Sequence, residues 1–265
     1  MGKHWSGMVV VVIGAIGVIG PAWADVLSEP LALSNRSPLA LIHGVPAARS
    51  GEVLPAMRST LSLSFDAASH FIDEDAGGEQ IALDGETHRL EWRGRLGLGY
   101  GWEVGLVLPY LQHSGGGLDG FIENWHDVWN LPDGGRPQAP RDELQYRYTR
   151  DGAVLLDLRE PQSGLGDVQL QAAYQLWQND RSVAALAATV KLPTGDTARL
   201  TGAGATATDI TFAISTDDWW GSGLRAFANI GAQWLDRGEV LSAQQQGSNL
   251  HAEAGLGWRV LAGLV

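Results

Sequence analysis

His113 and Ser114 stand side by side ahead of three glycines, Gly115 to Gly117. An imidazole beside a hydroxyl is the raw material of nucleophilic catalysis, and on a barrel wall it would suit a membrane hydrolase. Neighbours on a strand point to opposite faces, so these two would not meet. The plainer reading is a strand end entering a turn, and no catalytic residue is expected. Asp119, Glu123, His126 and Asp127 fall at offsets 0, 4, 7 and 8 and share one side of a helix. Carboxylates and an imidazole on one face could hold a divalent cation. Most of the four are ordinary helix-surface types, so no metal and no cofactor is expected. Arg89, Arg93 and Arg95 alternate along one strand with Glu91. They form either an anion-attracting stripe in a pore or a lumen wall balanced by acids across the interior. The excess of acid favours the wall. "SGLGD" (163–167) and "LPTGD" (192–196) lack the Lys-Ser/Thr ending of a phosphate loop, and turns account for both.

The elements that must position these residues alternate in polarity. In "DVQLQAAYQL", Asp167 to Leu176, one face carries Val168, Leu170, Ala172, Tyr174 and Leu176, and the other Gln169, Gln171 and Gln175. Such a period of two marks a strand. The same pattern recurs through Leu61 to Ala67, Leu90 to Tyr100 and Val104 to Tyr110. It returns at Ala184 to Leu192, Ile210 to Ile214, Leu224 to Trp234 and Ala252 to Val260. A poorer hairpin is expected around Asp151-Gly152. This predicts about nine strands of ~10 residues, with short turns on one side and longer loops on the other. One segment breaks the period. Leu118, Phe121, Ile122, Trp125, Val128 and Trp129 are spaced as an amphipathic helix over about 118–131, stopped by Pro132, Asp133, Gly134 and Gly135.

Residues 1–24 read as a secretory signal peptide. Lys3 and His4 precede an apolar run, Met8 to Gly20, and Ala22-Trp23-Ala24 fits the small-x-small cleavage rule. That run is 13 residues, short of the ~20 of a spanning helix. Residues 25–57 hold Pro30, Pro38, Pro46 and Pro55 without a period, and read as an N-terminal arm or plug-like segment. Residues 58–265 form the β domain. The net charge of -12 argues against nucleic acid as a partner. The absence of cysteine excludes disulfides and thiolate metal sites.

A soluble sandwich alternates too, so other features must choose what the oily face touches. The strand length suits a tilted crossing of an apolar layer. Charge and amide sit in mid-strand on the wet faces: Arg89, Glu91, Arg93, Arg95, Gln171, Gln175, Asn229 and Gln233. Aromatics gather near strand ends: Tyr100, Trp102, Tyr110, Trp177, Trp219, Trp220 and Trp258. Membrane interfaces select that placement. The expected fold is an antiparallel transmembrane β-barrel with those eight polar residues lining the lumen. Only about nine strands are counted up to Val265, so the chain is expected to be cut short at its C-terminus. The helix would lie across the lumen or in the interfacial plane, with Leu118, Phe121, Ile122, Trp125 and Trp129 on its apolar face.

Four stretches resemble a known family: "NRSPLALIHGVP" (35–46), the block from Leu83 to Arg136, "SGLGDVQL" (163–170) and "KLPTGD" (191–196). They are similar to an outer-membrane family of Gram-negative bacteria, domain of unknown function 3187. The resemblance implies a β-barrel and an outer-membrane location, and carries no reaction, ligand or catalytic residue. The expected partners are outer-membrane lipid and, during biogenesis, the barrel-assembly machinery. A pore or transport role for small solutes or apolar compounds is expected, rather than an enzyme. A non-conducting structural or adhesion barrel is the alternative, with a membrane hydrolase behind it.

Overall fold

A computed structural model describes residues 17–18, 30, 35–132, 139–216 and 223–258. The expected leader lies outside them apart from Gly17 and Val18, as do Trp219, Trp220 and residues 259–265. The elements are β1 (Gly17–Val18), α1 (Pro38–His43), β2 (Ser59–Ala76), β3 (Glu79–Gly99), β4 (Trp102–Ser114), α2 (Asp119–Trp129), β5 (Gln145–Arg150), β6 (Ala153–Leu158), β7 (Gln162–Leu165), β8 (Gln169–Gln178), β9 (Ser182–Lys191), β10 (Ala207–Thr216), β11 (Leu224–Leu235) and β12 (Ser248–Trp258).

All pairings are antiparallel, and the curled sheet runs β1-β2-β3-β4-β8-β9-β10-β11-β12 as a half-barrel. Two residues of the expected leader, Gly17 and Val18, pair with Leu63 and Ser62 on the outer edge of β2. Short connections occupy one end: Tyr100-Gly101 between β3 and β4, and Asn179 to Arg181 between β8 and β9. At the other end residues 115–168, 192–206 and 236–247 connect the strands.

Two strands far exceed the expected ~10 residues: β2 has 18 and β3 has 21. They project beyond the curl and close at Gly77-Gly78, where both φ values are positive, as a two-residue hairpin turn requires. There β3 leaves β4 and pairs with β5, and β5 pairs with β6 through Asp151-Gly152. Alternation fades at Ala67 to His70 because all four residues are buried. With both faces covered, polarity has no reason to alternate.

The largest apolar cluster is not inside the curl. Leu83, Leu144, Tyr146, Leu158, Leu200, Ala203 and Val240 form it at the long-loop end, with Leu39 of the N-terminal segment packed against it. A polar chain runs through this cap. Tyr146 Oη lies 3.3 Å from Thr87 Oγ1, which lies 3.0 Å from His113 Nδ1, while His113 Nε2 lies 3.0 Å from the Leu200 carbonyl.

Within the curl the burial is inverted. Leu61, Leu63, Phe65, Trp92, Val104, Leu106, Leu170, Leu186, Ile210, Ile230 and Trp234 are all at least 38% exposed. Glu91, Glu103, Lys191, Asp209, Asn229 and Gln233 are at most 6% exposed. Charge lies inside and hydrocarbon outside, the reverse of a water-soluble core.

Candidate functional site

Strand register assembles the polar face in rows. Arg95, Gly105, Gln171, Thr189, Asp209, Gln233 and Asn249 sit opposite one another across β3, β4, β8, β9, β10, β11 and β12. Gln175, Ala185, Ala213 and Asn229 form another row. The eight residues expected on the wet face therefore share it. Gln171 is half-buried there, against Gly105.

The arginines are paired. Arg95 grips Glu103 with two hydrogen bonds of 2.8 Å, and Arg49 reaches the same carboxylate at 3.3 Å. Glu91 sits between Arg89 and Arg93, the latter at 2.9 Å. Arg36 meets Asp66 at 2.8 Å. Along the sheet Lys191 pairs with Asp167 at 3.0 Å, and His251 Nε2 lies 2.7 Å from Asp209, which also accepts from Thr211. The arginine stripe is thus a set of ion pairs, made with acids on the same strand or the adjacent one rather than across the interior. Such buried pairs add little net stability, but stripping one partner costs about 3–5 kcal/mol.

Residues 44–54 lie along this polar face and are held by their main chain. Asn229 accepts from the Arg49 N–H (3.1 Å) and donates to the Arg49 carbonyl (3.0 Å). Gln175 accepts from the Val53 N–H (3.0 Å) and donates to the Gly51 carbonyl (2.9 Å). Gln233 donates to the Gly44 carbonyl, and Arg95 to the Glu52 carbonyl. The Gly51 N–H donates to Ser215 Oγ and the Leu54 N–H to Glu103. Each such bond contributes roughly 0.5–1.5 kcal/mol net. Close approach makes the fit possible. A Cβ on Gly51 would lie 2.5 Å from the Val183 carbonyl oxygen, and one on Gly97 would collide with the carbonyls of Leu54 and Pro55.

Glu103, Asp66, Asp209, Lys191 and Ser215 belong to this site in addition to the eight expected residues; alternation alone already puts Asp66, Asp209 and Ser215 on the wet face. Alternation could have found Glu103, since it precedes the outward Val104. Arg36 and Arg49 sit in an aperiodic stretch and carry no such signal.

The other chemical candidates are placed as follows. His113 is fully buried, and both its ring nitrogens are engaged within the cap. Ser114 follows it on β4 and so points to the opposite face. Asp119 accepts from the Asp142 N–H at 2.9 Å, whereas Glu123 pairs with Arg141. That carboxylate holds the exposed Arg141 guanidinium above its usual pKa. Among the described residues no group of three or more His, Asp or Glu gathers as a metal site. The two turn motifs clasp each other: Asp167 accepts from the Gly195 and Ala203 N–H groups at 3.0 Å, and Thr194 Oγ1 donates to the Gly166 carbonyl.

Helix α2 ends where Asn130 turns left-handed (φ 50°), before the expected stop signals. Its apolar residues divide. Ile122 is buried beside Asp119 and His126, while Phe121, Trp125, Val128 and Trp129 are exposed. The rings of Phe121 and Trp125 stand 6.3 Å apart, and those of Trp125 and Trp129 5.6 Å. The helix thus buries polar groups and displays aromatic ones. Among the described residues no helix is long and apolar enough to cross a membrane.

Fold and site together define a class: an all-β protein with an antiparallel curled sheet, an apolar outer surface and a charged interior. The chain belongs to the family described as protein of unknown function (DUF3187), which it matches over residues 10–264. No curated protein and no solved structure matches it.

Proposed function

We propose that this chain is a bacterial outer-membrane β-barrel protein whose outer face meets lipid and whose polar interior is a path for small solutes, closed by residues 44–54. One observation carries the reading, the inverted burial of the curl. In water, a face of Leu61, Leu63, Phe65, Trp92, Leu106, Leu170, Ile210 and Ile230 would be a very large apolar patch. In hydrocarbon it is the expected surface.

Further geometry supports it. The rings of Trp102 and Tyr174 meet at a tilt, 4.9 Å apart, at the short-turn end, and Tyr110 lies exposed eight residues further along β4. Eight steps of ~3.3 Å are about 26 Å along a strand, which at the ~40° tilt of such barrels covers about 20 Å of their ~25 Å apolar band. The unequal loops match the short periplasmic turns and long outer loops of this class. The exposed aromatic stripe of α2 suits the headgroup plane, with lipid as its partner. Delivery by a cleaved leader, whose removal takes β1 off the edge of β2, and folding by the barrel-assembly machinery complete the proposal.

The filled interior favours a second reading, a non-conducting structural barrel. Reconstitution in planar bilayers separates the two. A pore predicts small conductance steps that grow when Gly51→Val drives the segment off the wall. A silent bilayer with both forms supports the structural barrel. Recovery of the protein as a soluble monomer without detergent would remove both. A hydrolase has least support, because His113 has no open ring nitrogen for a nucleophile.

A further inference from the structure

Residues 44–54 are gripped in an unusual manner for a segment inside a β domain. Four of their carbonyls and four of their N–H groups are met by side chains from β3, β4, β8, β10 and β11 rather than by another backbone. Two amides imitate a neighbouring strand. Asn229 exchanges both bonds with Arg49, the pattern of an antiparallel hydrogen-bonded pair. Gln175 bonds the carbonyl of Gly51 and the N–H two residues on, at Val53, the pattern of a parallel neighbour. Side chains add to this main-chain grip. Arg49 reaches Glu103, Ser50 Oγ lies 3.3 Å from Ser215 Oγ, and Val53 sits among Ala173, Ala185 and Ala187.

We infer that the interior is a binding site for an extended peptide, read mainly through its main chain and occupied in cis by residues 44–54. Donors and acceptors stand at peptide spacing on a wall of small residues, so the chemistry matches an unbranched extended chain. A cationic side chain at the position of Arg49 would meet Glu103, and a small apolar one at that of Val53 would fill the alanine pocket. Occupancy in cis keeps the site closed until the segment withdraws. The inference goes beyond the solute-path reading and stands on the interior alone, so its test runs in detergent micelles without any lipid claim.

The probe is a fluorescent synthetic peptide covering Gly44 to Leu54, added to the full chain. Gly51→Val expels the cis segment by collision with the Val183 carbonyl and leaves every wall residue intact. Val53→Pro is the second variant and removes one of the bonded N–H groups. Fluorescence anisotropy should show at least tenfold tighter binding to either variant than to the wild type. The same peptide N-methylated at Gly51 and Val53 should lose at least tenfold. Hydrogen exchange needs no substitution: excess peptide should speed exchange of the cis Gly51 and Val53 amides in the wild type. Variants that bind no better than wild type, equal binding of the N-methylated peptide, or unchanged exchange under excess peptide would each overturn the inference.

Discussion

Glu103 joins both parts of the interior. It neutralises Arg95 and Arg49 and accepts the Leu54 N–H. Removing it strands two part-buried guanidinium groups. Glu103→Ala should therefore cost about 3–5 kcal/mol, read as a lower urea midpoint in micelles. Glu103→Gln keeps the acceptor for Leu54 and should lose less. Asp167 makes a parallel case just before β8, holding Lys191 and two loop N–H groups. Asp167→Ala should destabilise by a similar amount and also raise proteolysis within residues 192–206. Ordinary loop fluctuation would leave that cleavage unchanged.

At the scale of elements, α2 carries the clearest expectation. The chain has no cysteine, so a single cysteine can be labelled without background. Val128 is 75% exposed on the aromatic side of the helix. Val128→Cys carrying a polarity-sensitive dye should shift to the blue when the protein moves from micelles of short detergent to lipid vesicles. A dye at Asp127→Cys, exposed on the polar side, should stay unshifted. Equal spectra at both positions would detach the helix from the interface.

Elements also show what could be read in advance. Leu61, Leu63 and Phe65 alternate with Ser62, Ser64 and Asp66, and the structure keeps that division throughout the curl. The hairpin at Asp151-Gly152 and the turn after Gln178 carried their own turn residues. The lengths of β2 and β3 were hidden, because burial on both faces at Ala67 to His70 erases the period that marks a strand. Gln175 and Asn229 were legible as wet-face residues, but not the backbone they hold. Main-chain recognition leaves almost no trace in side-chain pattern, beyond a glycine such as Gly51 where the chain touches the wall.

For the molecule as a whole, the apolar core and the charged interior have different tasks. The cluster around Tyr146 and Leu200 caps the long-loop end and ties three long connections to the extended β2–β3 hairpin. Below it, the interior is held by ion pairs and hydrogen bonds, which satisfy the polar groups it encloses. Among the described residues nothing covers the outer face, so what surrounds it decides the reading. Most described tryptophans, including Trp92, Trp102, Trp177 and Trp234, point outward. Tryptophan fluorescence in vesicles of acyl-chain-brominated phosphatidylcholine tests that contact directly. The account predicts strong quenching by bromine and weak quenching by aqueous iodide. Strong iodide quenching with no bromine effect would place the outer face in water and contradict it.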